Sequence, residues 1–193
     1  ASYDDKDALV RLASECAAVT TEFENVPASS LQTIAEHIPG RPSAAAISIA
    51  RDRILEKQTV RDVGLDTANY HVIENVKDLD TALSRVNLPA ILKTATLGYD
   101  GKGQFVISSA SDLETAFQQL GEKPCVLEQR IDLACEVSVI LARSICGHIE
   151  TFAIAENKHK DVILNMSIIP ARVKPEVAAS AEKMARQLAK EID

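Results

Sequence analysis

The chain has no tryptophan, and tyrosine and phenylalanine bring its aromatic content to only 4%. Basic residues are outnumbered, 21 Lys and Arg against 28 Asp and Glu, for a formal charge of −7 and a pI near 5.2. A nucleic-acid-binding surface normally shows the opposite balance, so nucleic acid is not an expected partner. No apolar run approaches the roughly 18 residues of a membrane span, and no positively charged then apolar signal segment opens the chain, so no membrane association is expected. The four cysteines, Cys16, Cys125, Cys135 and Cys146, show no C-x-x-C spacing. Their apolar neighbours predict buried free thiols and a reducing cytoplasm rather than zinc or disulfides. Glycine is also scarce, at seven residues. Three of the seven, Gly98, Gly101 and Gly103, nevertheless stand within six positions.

What is present is ordinary for a globular protein: 193 residues, 46% apolar and 25% charged, enough for one or two compact domains. The first part alternates helices and strands. Helices are expected over 8–17, over 29–37, and as one long helix from an Ser43 N-cap to a stop at Gly64. A strand is expected at 18–23. Then follow strand 69–73, helix 78–86, strand 89–95, the glycine cluster, strand 104–108, and a helix over 111–120 with Gly121 just past its end. From Pro124 the pattern turns strand-rich, with apolar runs at 124–131, 135–143, 147–156 and 161–170. Short connections between the last three predict an antiparallel meander. A trailing amphipathic helix carries Val177, Ala181, Met184, Leu188 and Ile192 at helical spacing. It either packs back on its own domain or meets a surface from elsewhere; both termini read as cut, which favours the second.

The glycine cluster sits between two strands, with Lys93 ending the first and Lys102 inside the loop. It is neither a Walker A loop nor G-x-G-x-x-G. Two readings stand side by side. One is an ordinary hairpin, in which Asp100-Gly101 is a favoured turn pair. The other is a cradle whose backbone N–H groups and lysines hold a phosphate.

The words "TEFENVPASSL", "ARDRILEK", "ILKTATLGYDGKGQ", "VLEQRIDLACEVSVILAR" and "AIAENKHKDVILNMSIIPA", in this order, resemble the 5-(carboxyamino)imidazole ribonucleotide synthase family of ATP-grasp enzymes. The resemblance implies α/β and α+β architecture: an ATP-grasp fold truncated at both ends, preceded by the remainder of an N-terminal α/β pre-ATP-grasp domain. It implies boundaries at 1–67 for that remainder plus a linker helix, 68–130 for the small lid, and 131–193 for the first part of the large subdomain. The implied reaction is ATP-dependent carboxylation of aminoimidazole ribonucleotide with bicarbonate through carboxyphosphate. Magnesium and a homodimeric parent are implied with it. Alternatives are another ATP-grasp carboxylase or formyl-phosphate transferase, or a non-catalytic ATP-binding module.

Site residues follow from the resemblance, each beside a plainer role. Arg53 and Lys93 match ATP-binding residues, though Arg53 could be a solvated helix charge. The run Gly98, Tyr99, Asp100, Gly101, Lys102, Gly103 and Gln104 matches the nucleotide loop. Within it Tyr99, Asp100 and Lys102 also face bicarbonate and the imidazole nucleotide, the catalytic positions. Glu128, Gln129, Arg130 and Ile131 match the hinge whose backbone meets adenine. Glu136 matches the ribose-hydroxyl acceptor, otherwise an edge-strand charge. His159 matches a nucleotide-site histidine, otherwise a solvated loop residue. Glu22 matches a contact to the ribonucleotide substrate. Ala95 and Thr96 stand where relatives often carry arginines, and Val162 stands near a usual glycine. The glycine-rich substrate segment is expected before Ala1, and the metal-binding carboxylates after Asp193. No metal ligand is therefore expected here, and the piece alone is expected to be inactive.

Overall fold

In a computed structural model the described residues are 1–23, 25–98 and 102–192. The chain forms two compact units, Ala1–Thr59 with Ile192–Asp193, and Val60–Glu191.

The first unit is helical. Helix α1 (Lys6–Glu15) starts at Asp5, whose carboxylate accepts from the Ala8 N–H. Helix α2 spans Ala28–Ala35, and Leu31 from it joins Val26 and Ile47 in a small core. The long helix expected after Ser43 is two helices, α3 (Ala44–Arg51) and α4 (Arg53–Asp62). The cause is Asp52. Its backbone is extended (φ −122°, ψ 112°), and its carboxylate accepts from the N–H groups of Ile54 and Leu55 at 2.8 and 3.3 Å. An N-cap of this kind satisfies donors that an unbroken helix would bond internally. Ser43 caps α3 as expected, and Gly64, at φ +78°, lies just past the end of α4. The strand expected at 18–23 does not form; Val19 makes a single parallel bridge to Gly40.

The second unit opens with a four-stranded antiparallel sheet in the order β1 (Tyr70–Ile73), β4 (Cys125–Gln129), β2 (Ala90–Thr94), β3 (Gln104–Ile107). Side chains alternate across a strand. The register therefore puts Ile73, Ala90, Leu92, Ile107, Cys125 and Leu127 on one face. All six are fully buried, in a core with Leu79, Ala82 and Val86 of the α5 segment and Leu113, Ala116 and Phe117 of α6. Helix α5 is Leu79–Arg85, entered through a 3-10 turn at Val76–Asp78, and α6 is Ala110–Gln119. A capping box starts α6, in which Ser109 accepts from the Asp112 N–H and the Asp112 carboxylate accepts from the Ser109 N–H. The opposite sheet face carries Tyr70, Val72, Ile91, Lys93, Gln104, Val126 and Glu128.

Two of the three later runs expected as single strands are each broken. Residues 135–143 give β5 (Glu136–Ser138) and β6 (Leu141–Arg143), and 147–156 give β7 (Ile149–Thr151) and the start of β8 (Ala155–Lys160). Strands β6 and β7 form a two-stranded hairpin, while β5, β8 and β9 (Ile163–Ile168) form a three-stranded sheet, so the meander is divided. The Phe152 N–H donates to the Ile140 carbonyl at 2.9 Å across the break. Helix α7 (Pro175–Glu191) is tied to the hairpin by Arg186, which donates to the Ile149 carbonyl at 2.8 Å and to Glu182 at 2.9 Å. Of its expected apolar stripe, Val177 and Met184 are exposed, while Ala181 and Leu188 are half-buried. All four cysteines are free, but only Cys125 is buried; Cys135 and Cys146 are exposed, contrary to expectation. Apolar sequence neighbours do not bury a residue on a short strand or turn whose own side chain faces outward.

Candidate functional site

Lys93 and Glu128 are 35 positions apart, yet lie on neighbouring strands. Lys93 stands opposite Val126 and Ile91 opposite Glu128, so the two charges are diagonal neighbours on one sheet face. They form an ion pair, with Glu128 only 8% exposed at its side chain and Lys93 23%. Gln104 lies directly opposite Lys93 on β3, and Tyr70 opposite Glu128 on β1. Tyr70 is covered by the Arg61 guanidinium, 4.0 Å above its ring. One face of this sheet is thus a hydrocarbon core, and the other carries a cation, a carboxylate, an amide and a phenol.

The glycine cluster starts from this face. Thr94 N–H donates to the Gly103 carbonyl at 2.9 Å, closing the base of the connection. Gly103 has φ +74°, and a Cβ there would lie 2.7 Å from Thr94 Oγ1 and 3.6 Å from the Gly98 Cα. A side chain there would have to displace Thr94 and adopt a left-handed backbone, so conformation and close approach both favour glycine. Leu97 also has a positive φ, 61°. Lys102 is exposed beside them. Tyr99, Asp100 and Gly101 lie outside the described residues.

At the end of β4, the N–H groups of Gln129 and Arg130 donate to the carbonyls of Asn69 and Pro89 at 2.8 and 3.1 Å. Those two donors are committed to the sheet. An edge-on ligand here would use other backbone groups of the stretch, such as those of Ile131, which is 49% exposed.

A second constellation lies on β5 and β8. Glu136 pairs with Asn157, and His159, two residues further on β8, shares the same face. His159 Nδ1 is 3.5 Å from Glu136 Oε1, and both side chains are open to solvent. Between them Asn157 donates from Nδ2 to Ser138 Oγ at 2.6 Å and accepts from Ser167 Oγ at 2.9 Å. On the reverse face Glu156 accepts from the Arg172 guanidinium at 2.6 and 2.9 Å and from its N–H at 3.3 Å. That clamp holds the Glu156 carboxyl far below the usual carboxylate range, at about 2, mainly through the side-chain hydrogen bond and against the effect of burial. Asn157, Ser138, Ser167 and the Glu156–Arg172 pair carried no sequence signal beyond the letters "EN" before His159.

Arg53 and Glu22 belong to the first unit. Arg53 is half-buried at the first position of α4, and Glu22 is exposed. Among the described residues no cluster of three or more His, Cys, Asp or Glu could hold a metal ion, and no helix is long and apolar enough to cross a membrane.

Comparison with known families identifies this mixed sheet-and-helix unit. Residues 58–193 match the ATP-grasp domain, and the chain belongs to that family. Residues 1–51 match the ribonucleotide synthetase preATP-grasp domain. The chain is 40% identical over 168 residues to the N5-carboxyaminoimidazole ribonucleotide synthase of Pseudomonas aeruginosa, covering 87% of this chain and 47% of that one. It is 37% identical to the enzyme of the same name from Bacillus subtilis, over 100% of this chain and 51% of that one. The ADP-complexed N5-carboxyaminoimidazole synthetase of Staphylococcus aureus superposes with a TM-score of 0.92 at 33% identity, over 100% of this chain and 51% of that one. The chain therefore spans about half the length of the curated relatives it matches.

Proposed function

We propose that this chain supplies adenine-nucleotide binding to a 5-(carboxyamino)imidazole ribonucleotide synthase. In that reaction the γ-phosphoryl group of ATP moves to a bicarbonate oxygen, giving carboxyphosphate and ADP. The amine of aminoimidazole ribonucleotide then bonds to the carboxyl carbon as phosphate leaves. The observation that carries the reading is Lys93, a cation fixed by Glu128 on the sheet face opposite the core, beside the Gly98–Gly103 approach.

In this reading Lys93 reaches phosphate, where a charge-assisted contact replaces water. The loop of Gly98, Tyr99, Asp100, Gly101, Lys102, Gly103 and Gln104 closes over the phosphates and keeps water from a labile mixed anhydride. Tyr99, Asp100 and Lys102 face bicarbonate and the imidazole nucleotide. The backbone from Glu128 through Gln129, Arg130 and Ile131 meets adenine. Glu136 accepts from ribose hydroxyls with His159 beside it, Arg53 adds charge to the ATP site, and Glu22 contacts the ribonucleotide. Magnesium, when bound, offsets charge on the phosphates; no cluster of described residues fits it, so none is given that role. We divide the chain at 1–67, 68–130 and 131–193, with the middle segment as lid. A homodimeric assembly is carried by the resemblance alone. A cytoplasmic setting suits four free thiols.

Isothermal titration of the chain with ADP and ATP tests this reading. Binding is expected, weakened roughly tenfold to a hundredfold in Lys93→Ala. No binding, or equal binding by the variant, would overturn it. In a protein carrying this chain, phosphate release should require both bicarbonate and aminoimidazole ribonucleotide.

A further inference from the structure

We infer that Asn157 is a positioning residue that holds Glu136 and His159 on one face of the sheet, with Glu156 anchoring the same strand from behind. The inference rests on the reading above, in which Glu136 accepts from ribose hydroxyls.

Strand β5 is three residues long and pairs with β8 only at Glu136, Val137 and Ser138. So short a ladder specifies its register weakly, and a slip of one residue would turn Glu136 to the opposite face. On the other side of β8 the register breaks. Lys158 pairs with Met166 but His159 pairs with Leu164, so Asn165 is left unopposed beside the histidine. A bulge re-aims the side chains next to it. Both ligand-side groups therefore stand where the backbone ladder determines them least.

Asn157 lies between these two weak places. Its amide donates to Ser138 on β5 and accepts from Ser167 on β9, a side-chain bridge across all three strands on the Glu136 face. Ser138 is the last residue of β5, so the bridge ties down the end of that strand away from Glu136. Ser167 lies directly opposite Asn157, on the last regular stretch before the bulge. Glu156, the preceding residue, points to the reverse face and is held there by three hydrogen bonds from Arg172. Consecutive residues thus pin β8 from both faces, immediately before the strand presents His159.

The test compares ADP with 2′-deoxyADP, by titration calorimetry on the full chain. A residue that only supports stability would lower both affinities alike. A residue that aims Glu136 sets the preference between the two nucleotides. The wild-type chain is expected to prefer ADP by roughly tenfold, the scale of one charge-assisted hydrogen bond. Asn157→Leu is expected to lose most of that preference while still binding 2′-deoxyADP, and Ser138→Ala, a milder change that keeps β8–β9 intact, to lose part of it. Glu136→Ala serves as the reference for complete loss. If Glu136→Ala abolishes the preference but Asn157→Leu and Ser138→Ala keep it, the positioning role is overturned and the site reading stands. If Glu136→Ala itself keeps the preference, the ribose assignment and the positioning role fall together. Should Asn157→Leu not fold, Ser138→Ala decides: an undiminished preference overturns the inference.

Discussion

Replacing Lys93 with methionine should destabilise the second unit far more than replacing Glu128 with glutamine, although both remove the same ion pair. The asymmetry comes from burial. Glu128 keeps only 8% of its side-chain exposure, whereas Lys93 keeps 23% and has a flexible stem. Lys93→Met takes the ammonium away from a carboxylate in a nearly dry site, a change that costs about 3 kcal/mol or more. At roughly 2–4 °C per kcal/mol for a protein of this size, the melting transition should fall by about 6–12 °C. Glu128→Gln leaves an ammonium that can turn outward or donate to the amide, a loss of about 1 kcal/mol. The double variant Lys93→Met, Glu128→Leu should recover most of the stability, because no buried charge remains. Scanning calorimetry on the three variants measures all of this. A Lys93→Met transition within a degree or two of wild type, or a Glu128→Gln loss as large as that of Lys93→Met, would refute the reasoning.

The clamp on Glu156 gives a pH signature: its folded pKa lies at about 2, below the ordinary glutamate value of 4.5, so the stability it contributes is present above about pH 4.5 and disappears as the pH falls toward 2. Arg172→Gln should flatten the acid limb of the unfolding profile in that window, and an unchanged limb would count against the clamp. Gly103→Ala should lose about 1–2 kcal/mol from the positive φ alone. Adding Thr94→Ala should relieve the contact with Oγ1 but not that strain, so urea unfolding should show partial recovery. Of the four thiols Cys146 should react first with a thiol reagent near pH 8, because the Ser144 hydroxyl and the His148 N–H favour its thiolate. Cys125 should react last, since burial pushes it up to about 11. Peptide mapping of partially alkylated protein gives the order.

The elements that could be read from sequence were those whose signals are local. The Ser43 cap, Gly64 and Gly121 sit where their φ angles and side-chain bonds predict. The misread elements depended on partners. Residues 18–23 have strand-forming side chains, but a strand takes its hydrogen bonds from a neighbour, and Val19 meets only Gly40. Asp52 is a capping residue inside an apolar period, so periodicity outweighed the cap in reading one helix where there are two. For the site, resemblance picked out Lys93, Glu128, Glu136 and His159 one at a time. Their pairing is a matter of register, which no sequence spacing reveals. Asn157 was invisible for the same reason, because its partners Ser138 and Ser167 lie on two other strands.

The strand order β1-β4-β2-β3 fixes when the four-stranded sheet can form. One of the two interior positions belongs to β4, the last of the four strands to be synthesised, and β1 and β2 each pair with it rather than with one another. Before residue 129 leaves the ribosome, β1 has no sheet partner and β2 has only β3. Helices α5 and α6 lack the Cys125 and Leu127 side chains that complete their core. Loop closure over that separation is slow relative to local hairpins. The emerging chain therefore passes through an interval with two unpaired strand edges flanking an empty interior slot. During synthesis that slot is where a holding chaperone, or a stray β-strand from another nascent chain, would compete with the protein's own β4.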